Sequence, residues 1–564
     1  MELRSNTNRR DRRNARSRGD PGWTVVRILF LLPLLLAGCQ GEEREEETAQ
    51  QVPVSGGTLR VMSERPGSLD PIAVDEIYES AVVRQVYEGL VAFDADLRLL
   101  PGLASSWTIS ADERTYTFTL RPGVRFHDGT PLTPEDVRYS LERCLLPDDD
   151  VACMVQSYLV HVRGAPAFLE GRADRIEGIG VAGERTVRIE LEEPLPILLE
   201  ILAMDQTVVV PKHHVEAGGT VALEEDPIGT GPFRYAGRTH TGGVALARND
   251  AYWRGAALLD SLVFLPIPES EGIDEPEAVA SGRVDFAALG MGDGPAARAA
   301  GLEVYRSPEL SIAFLALRTD QAPFHETTVR QAVLRAIDRR RIQQIDLDGM
   351  VPVSGILPPG MPGRDPANLM PEFDPDEAAR LLAEGGYREG RGLEAIRIVS
   401  TGGGRAEKMA RWMEEDLQRI GLDAEVVLMD WRELDSLAVA GELQAFLMSW
   451  VTDLSDATSF LYSLFHSEGE GNLFAYRSPT VDRLLEKSRG MQAGREKSQL
   501  LRRAQEEILS DAPCVPLYHS SIAYAWRPEV EGIVIGPTGF ALVDMTSVHF
   551  VGKPADDLAR EELR

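Results

Sequence analysis

Several short runs of this chain alternate apolar and polar residues with a period of two. Gly56-Gly57-Thr58-Leu59-Arg60-Val61-Met62, Thr115-Tyr116-Thr117-Phe118-Thr119-Leu120 and Val187-Arg188-Ile189-Glu190-Leu191 all do so, which predicts half-buried strands. Elsewhere the spacing becomes helical. Val329, Ala332, Val333, Ala336 and Ile337 share one helical face, as do Met409, Trp412, Met413, Leu417 and Ile420 before Gly421. Helix starts are written into the chain as well. Thr133-Pro134-Glu135-Asp136 and Asp374-Pro375-Asp376-Glu377 place a capping side chain, a proline at the first helical position and acids in the first turn. Gly385-Gly386 stops the second of these helices. Strands and helices mix without internal repeats, so the fold class expected is α/β.

One apolar run differs from the others. Ile28 to Leu36 is nine residues long and follows Arg27. A bilayer span needs about twenty residues, so this is the hydrophobic stretch of a signal peptide (residues 1–38). The segment Leu36-Ala37-Gly38-Cys39 resembles the lipobox of bacterial lipoproteins, which implies lipidation of Cys39. Residues 39–54 hold Cys39 and a polar stretch that reads as a flexible tether, and residues 553–564 are a C-terminal tail. The formal charge is -30, and no segment supplies the basic surface that nucleic acid demands. Hydrophobic residues make up 43%, enough for a packed body of two or three domains.

Chemistry motifs are sparse. The chain has no HExxH, GxSxG, Walker loop or dinucleotide fingerprint. His213 and His214 are adjacent on an expected helix and point apart. His127-Asp128-Gly129 reads as a turn. No cofactor and no metal site is expected. Cys144 and Cys153 flank the acidic run Asp148-Asp149-Asp150, and in an oxidising compartment a disulfide between them is expected, while Cys514 reads as a buried hydrophobe.

A series of ordered blocks is more specific. Val86-Tyr87-Glu88-Gly89-Leu90-Val91, Leu100 to Trp107, Leu120 to Thr133, Gly229-Thr230-Gly231-Pro232-Phe233, Asn249 to Gly255, Arg330-Gln331-Ala332-Val333 and Ala512 to Tyr518 together resemble the family 5 extracellular solute-binding proteins of ABC importers. The resemblance spans about residues 56–550. It implies a two-lobed periplasmic-binding-protein type II fold with an extra α/β domain on the N-terminal lobe. Lobe I would comprise 55–90, 205–290 and 520–552, the extra domain 91–204, and lobe II 291–519.

The resemblance also implies ligand-binding residues. In Ser449-Trp450-Val451-Thr452-Asp453-Leu454-Ser455-Asp456-Ala457, Asp453 matches the acid that pairs with a peptide's α-amine, and Trp450 belongs to the same pocket. Ala457 stands where the family usually has proline. Capping of the helix Thr458 to Phe465 by Asp453, Ser455 or Asp456 is the alternative. Trp431, Tyr518 and Asp75 are further expected pocket residues, with core packing as the alternative for the aromatics.

The function expected is a lipid-anchored, non-enzymatic, monomeric receptor outside the cytoplasm. It would bind peptides and pass them to the permease subunits, with no nucleic acid among its partners. A nickel chelate, haem, oligosaccharide or opine is the alternative ligand, and an exported hydrolase a remote one.

Overall fold

The computed structural model describes residues 55–552, except 75, 147–152, 154, 268–271, 291, 347–348, 362–363, 365–366, 453–454, 492–493 and 540–542. Cys39 and the signal, tether and tail segments lie outside the described residues.

A 12-stranded sheet runs through the molecule. Its spine is the strand Cys514–Trp526. At roughly 3.3 Å per residue, its 13 residues are long enough to serve two cores. The C-terminal half pairs antiparallel with Phe286–Ala288 and Glu303–Pro308. Beyond Phe286–Ala288 come Thr58–Met62 and Ser261–Leu265, parallel to one another, and then Val244–Arg248 and Phe233–Arg238. The N-terminal half pairs with Ser311–Leu317, all seven of whose residues are buried. A strand covered on both faces reads as a continuous apolar run, and Ser-Ile-Ala-Phe-Leu-Ala-Leu is nearly that. Ala445–Val451 lies on its other side, followed by Ile396–Thr401 and Ala424–Met429.

Each half of the spine has its own apolar core. Leu59, Val82, Phe233, Phe264, Phe286 and Tyr524 belong to the lobe I core. Ile312, Phe314, Val333, Met413, Phe446, Leu461 and Val515 belong to the lobe II core. Residues of Gly294–Ala299 sit apart from both, with Ala297 against Ala523 and Ala525. The helix Thr327–Ala336 buries the predicted face Val329, Ala332, Val333 and Ala336. The helix Gly404–Arg419 buries Met409, Met413 and Leu417. Its half-buried Trp412 carries the Arg341 guanidinium 4.3 Å from the ring centre.

A third core, between Leu90 and Val209, backs a separate four-stranded antiparallel sheet. Its order is Ala104–Ile109, Thr115–Leu120, Thr186–Glu190, Ile179–Ala182. Tyr116, Phe118 and Leu120 point inward, as the alternation requires. The helix Pro134–Arg143 starts on a reciprocal cap, with Asp136 N–H donating to Thr133 Oγ1 and Thr133 N–H donating to Asp136 Oδ2. Asp374 caps Pro375–Glu384 by accepting from Glu377 N–H at 2.9 Å. Two described residues of this appended domain pack with other cores, Tyr139 against lobe I and Leu97 against lobe II. Leu97, at the tip between Val91–Phe93 and Leu99–Pro101, is 4% exposed and packs with the lobe II core.

Candidate binding cleft

The two lobes and the appended domain meet around a cavity of about 340 Å³. Helix Ile77–Val86 contributes Ile77, Ser80 and Arg84, and the appended domain contributes Phe93 and Met204. Asp205 and Gln206 stand in the following turn. Ser307, Glu309, Leu310, Val451 and Thr452 close the far side, while Ile522 and Tyr524 of the spine form the back. Pro537, Thr538 and Gly539 complete the wall. Tyr524 is held by stacking on Phe286, ring centres 5.7 Å apart.

Arg84 is the cationic side chain of this wall among the described residues, and it is already neutralised. Its Nε lies 2.6 Å from Asp205 Oδ1. The N–H is not aimed along a hydrogen bond, so the contact is one of charge. Ser80 Oγ donates to the other oxygen of Asp205. Glu309 is different: burial alone pushes its carboxyl above the usual range, with no cation beside it.

The expected pocket residues are distributed unevenly. Asp453 and Asp75 lie outside the described residues, although Thr452, Val74 and Glu76 next to them are cavity walls. Trp450 is one residue from Val451, and successive strand residues face opposite sides. Its ring lies on Gly471, where an added Cβ would touch it, and it packs at the edge of the lobe II core. Tyr518 shares the strand of Tyr524 but is six residues further along, opposite Ala313, and it also packs against lobe II. Trp431 starts the helix Trp431–Ala440 beyond the edge strand Ala424–Met429 and is 53% exposed. None of these three aromatics is a wall of the cavity.

Asp456 takes up the capping role left open by the sequence. It accepts from Ser459 N–H at 2.7 Å and pairs with Lys497 Nζ at 2.7 Å. Arg84, Asp205, Gln206 and Glu309 carried no local signal, since their grouping depends on chain segments far apart in sequence.

The expected disulfide is not formed in the structure: Cys144 and Cys153 are free, buried thiols, as is Cys514. The first two are hydrogen-bonded to each other, which pushes Cys144 up and Cys153 down. Cys144 also donates to the Gln206 carbonyl at 3.0 Å, so the thiol has a partner without a bridge. His213 contacts Asp128 and His214 the Asp226 carbonyl. No group of His, Cys, Asp or Glu suited to a metal ion occurs among the described residues.

Three of the sequence blocks converge away from the cavity, on the carboxylate of Glu88. Thr230 Oγ1, Tyr252 Oη and Trp253 Nε1 each donate to it at 2.8 Å. Arg121 and Arg254 both lie 4.6 Å from the Trp253 ring centre. Arg121 of the appended domain, lying over the Trp253 ring, ties that domain to this lobe I cluster.

The sequence profile of the bacterial extracellular solute-binding proteins, family 5 (middle), matches residues 98–472. The chain belongs to this family. Family 5 proteins are the substrate-binding components of ABC importers, so this one is a receptor and not an enzyme. The oligopeptide-binding protein OppA of Bacillus subtilis is 23% identical over 541 residues, covering 92% of this chain and 97% of the relative. The heme-binding protein A of Haemophilus influenzae is 27% identical over 535 residues, covering 90% and 96%. The solved structure of HbpA2 from Haemophilus parasuis superposes with a TM-score of 0.79 at 24% identity, covering 88% of this chain and all of that one. Members of the family act in the periplasm or outside the cell. Among the described residues no helix is long and apolar enough to cross a membrane.

Proposed function

We propose that this family 5 receptor is anchored through acylated Cys39, captures a peptide in the cleft and hands it to the permease of an ABC importer. The observation that carries this reading is the cavity itself. Its walls come from both lobes and the appended domain, so a ligand seated there contacts all three bodies at once. Contacts made to both lobes only when they are near one another stabilise the closed arrangement by that difference in affinity. The volume of about 340 Å³ is at the small end of ligand sites, which run to about 1,000 Å³. Asp453, one residue beyond the wall residue Thr452, is assigned to the peptide's α-amine through a charge-assisted hydrogen bond. Asp75, between Val74 and Glu76 in the sequence, is assigned to the cleft as a second ligand-binding acid. The anchor keeps the receptor near its permease and raises its effective concentration there.

Calorimetry of the purified protein with a mixed pool of di-, tri- and pentapeptides tests the ligand class. Saturable binding is expected, and Asp453→Ala is expected to weaken it by about 3–5 kcal/mol, because a desolvated ammonium loses its counter-charge. A pool that neither binds nor raises the melting temperature removes the peptide assignment. Mass spectrometry of the membrane-bound protein tests the anchor, since an unmodified Cys39 removes it. Haem is the second reading, favoured by the heme-binding relative. A haem absorption band that shifts on titration, with no response to peptides, would select it.

A further inference from the structure

We infer that the cleft selects a ligand carrying a cationic side group, an ammonium or guanidinium held by Glu309. This deepens the peptide reading and rests on the cavity being the binding site. Glu309 lies between the strand Glu303–Pro308 and the buried strand Ser311–Leu317, and it is a wall of the cavity. Its carboxylate has no hydrogen bond or ion pair among the described residues, and burial is what shifts it. A half-buried carboxylate without a counter-charge is unfavourable unless something in the site supplies one.

The described residues of the wall do not supply it. The wall's described cation, Arg84, is committed to Asp205 at 2.6 Å. Glu76, a second wall carboxylate at the start of helix Ile77–Val86, makes no capping bond with its side chain. The lining is therefore net negative. Thr538 adds a polar contact, because its Oγ1 is buried in the wall without a partner. The chain as a whole, at -30, also attracts cations toward the cleft.

The test uses tripeptides that differ only in the central residue: Ala-Lys-Ala, Ala-norleucine-Ala and Ala-Glu-Ala. All three present the same α-amine to Asp453, so differences among them report the side-chain site. The lysine peptide is expected to bind the purified full chain at least about tenfold tighter than the norleucine peptide, as a charge-assisted contact implies. The glutamate peptide should bind weakest. Glu309→Gln is expected to abolish the lysine preference. Equal affinity for the lysine and norleucine peptides, or a preference that survives in Glu309→Gln, overturns the inference.

If no tripeptide binds, the peptide reading fails and the cation site is judged by a short alkyl diamine against the matching diol. A diamine-specific rise in melting temperature that Glu309→Gln removes supports the site. Identical behaviour of diamine and diol, or a rise that persists in Glu309→Gln, overturns it.

Discussion

Glu200 makes the stability of this receptor depend on pH in a definite direction. It sits on the short helix Leu198–Ile201 of the appended domain, and its Oε2 is buried without a partner. Burial, then the charge of Asp456 on the lobe II side, push its pKa from 4.5 up to about 8, while Lys497 offsets part of the rise. The native chain therefore keeps this proton to higher pH than the unfolded chain does. Between pH 4.5 and about 8 the native state binds more protons, so Glu200 lowers stability as pH rises through that window. Below the window its effect is absent, and above it the loss is complete. At about 1.4 kcal/mol per pKa unit the whole shift corresponds to about 4–5 kcal/mol. Residual hydration of a side chain at the domain contact reduces the expected loss to about 2 kcal/mol.

Glu200→Gln keeps the shape and removes the titration. Urea unfolding of both proteins at about pH 5, 7 and 9 reads the titration of Glu200 together with its coupling to Asp456 and Lys497, because groups farther away titrate alike in the two. The variant should match the parent near pH 5 and exceed it by about 2 kcal/mol near pH 9. Parallel stability profiles for the two proteins would refute the reasoning.

Leu97→Ala removes an appended-domain side chain that packs with the lobe II core. A loss of about 2–4 kcal/mol in urea unfolding is expected for a leucine this buried, and an effect under about 0.5 kcal/mol would mean the tip is not held there. Glu88→Gln replaces a carboxylate that accepts from Thr230, Tyr252 and Trp253. The amide offers one acceptor oxygen, so at least one donor is orphaned, and a loss of about 1–3 kcal/mol in thermal or urea unfolding is expected. Unchanged stability would show that water replaces the missing acceptor.

Much of the local structure was legible in the chain. The caps at Thr133 and Asp374, the inward set Tyr116, Phe118 and Leu120, and the buried face of Thr327–Ala336 follow from residues within a few positions of each other. Such signals survive folding because a helix or strand sets its own period whatever it packs against. The ordered blocks likewise marked the family. The binding site was far less legible. Trp450, Tyr518 and Trp431 were named by type and neighbourhood, whereas the walls of the cavity are other residues.

The cavity walls come from segments near residues 74–93, 204–206, 307–310, 451–452 and 522–539, and no local pattern ties these together. Whether a carboxylate is neutralised, as Asp205 is by Arg84, or left open, as Glu309 is, depends on which distant side chain arrives beside it. The sequence by itself determined the local elements and the family. Only the tertiary structure decided which residues line the cavity, because charge pairing and burial are set by contacts between segments hundreds of residues apart.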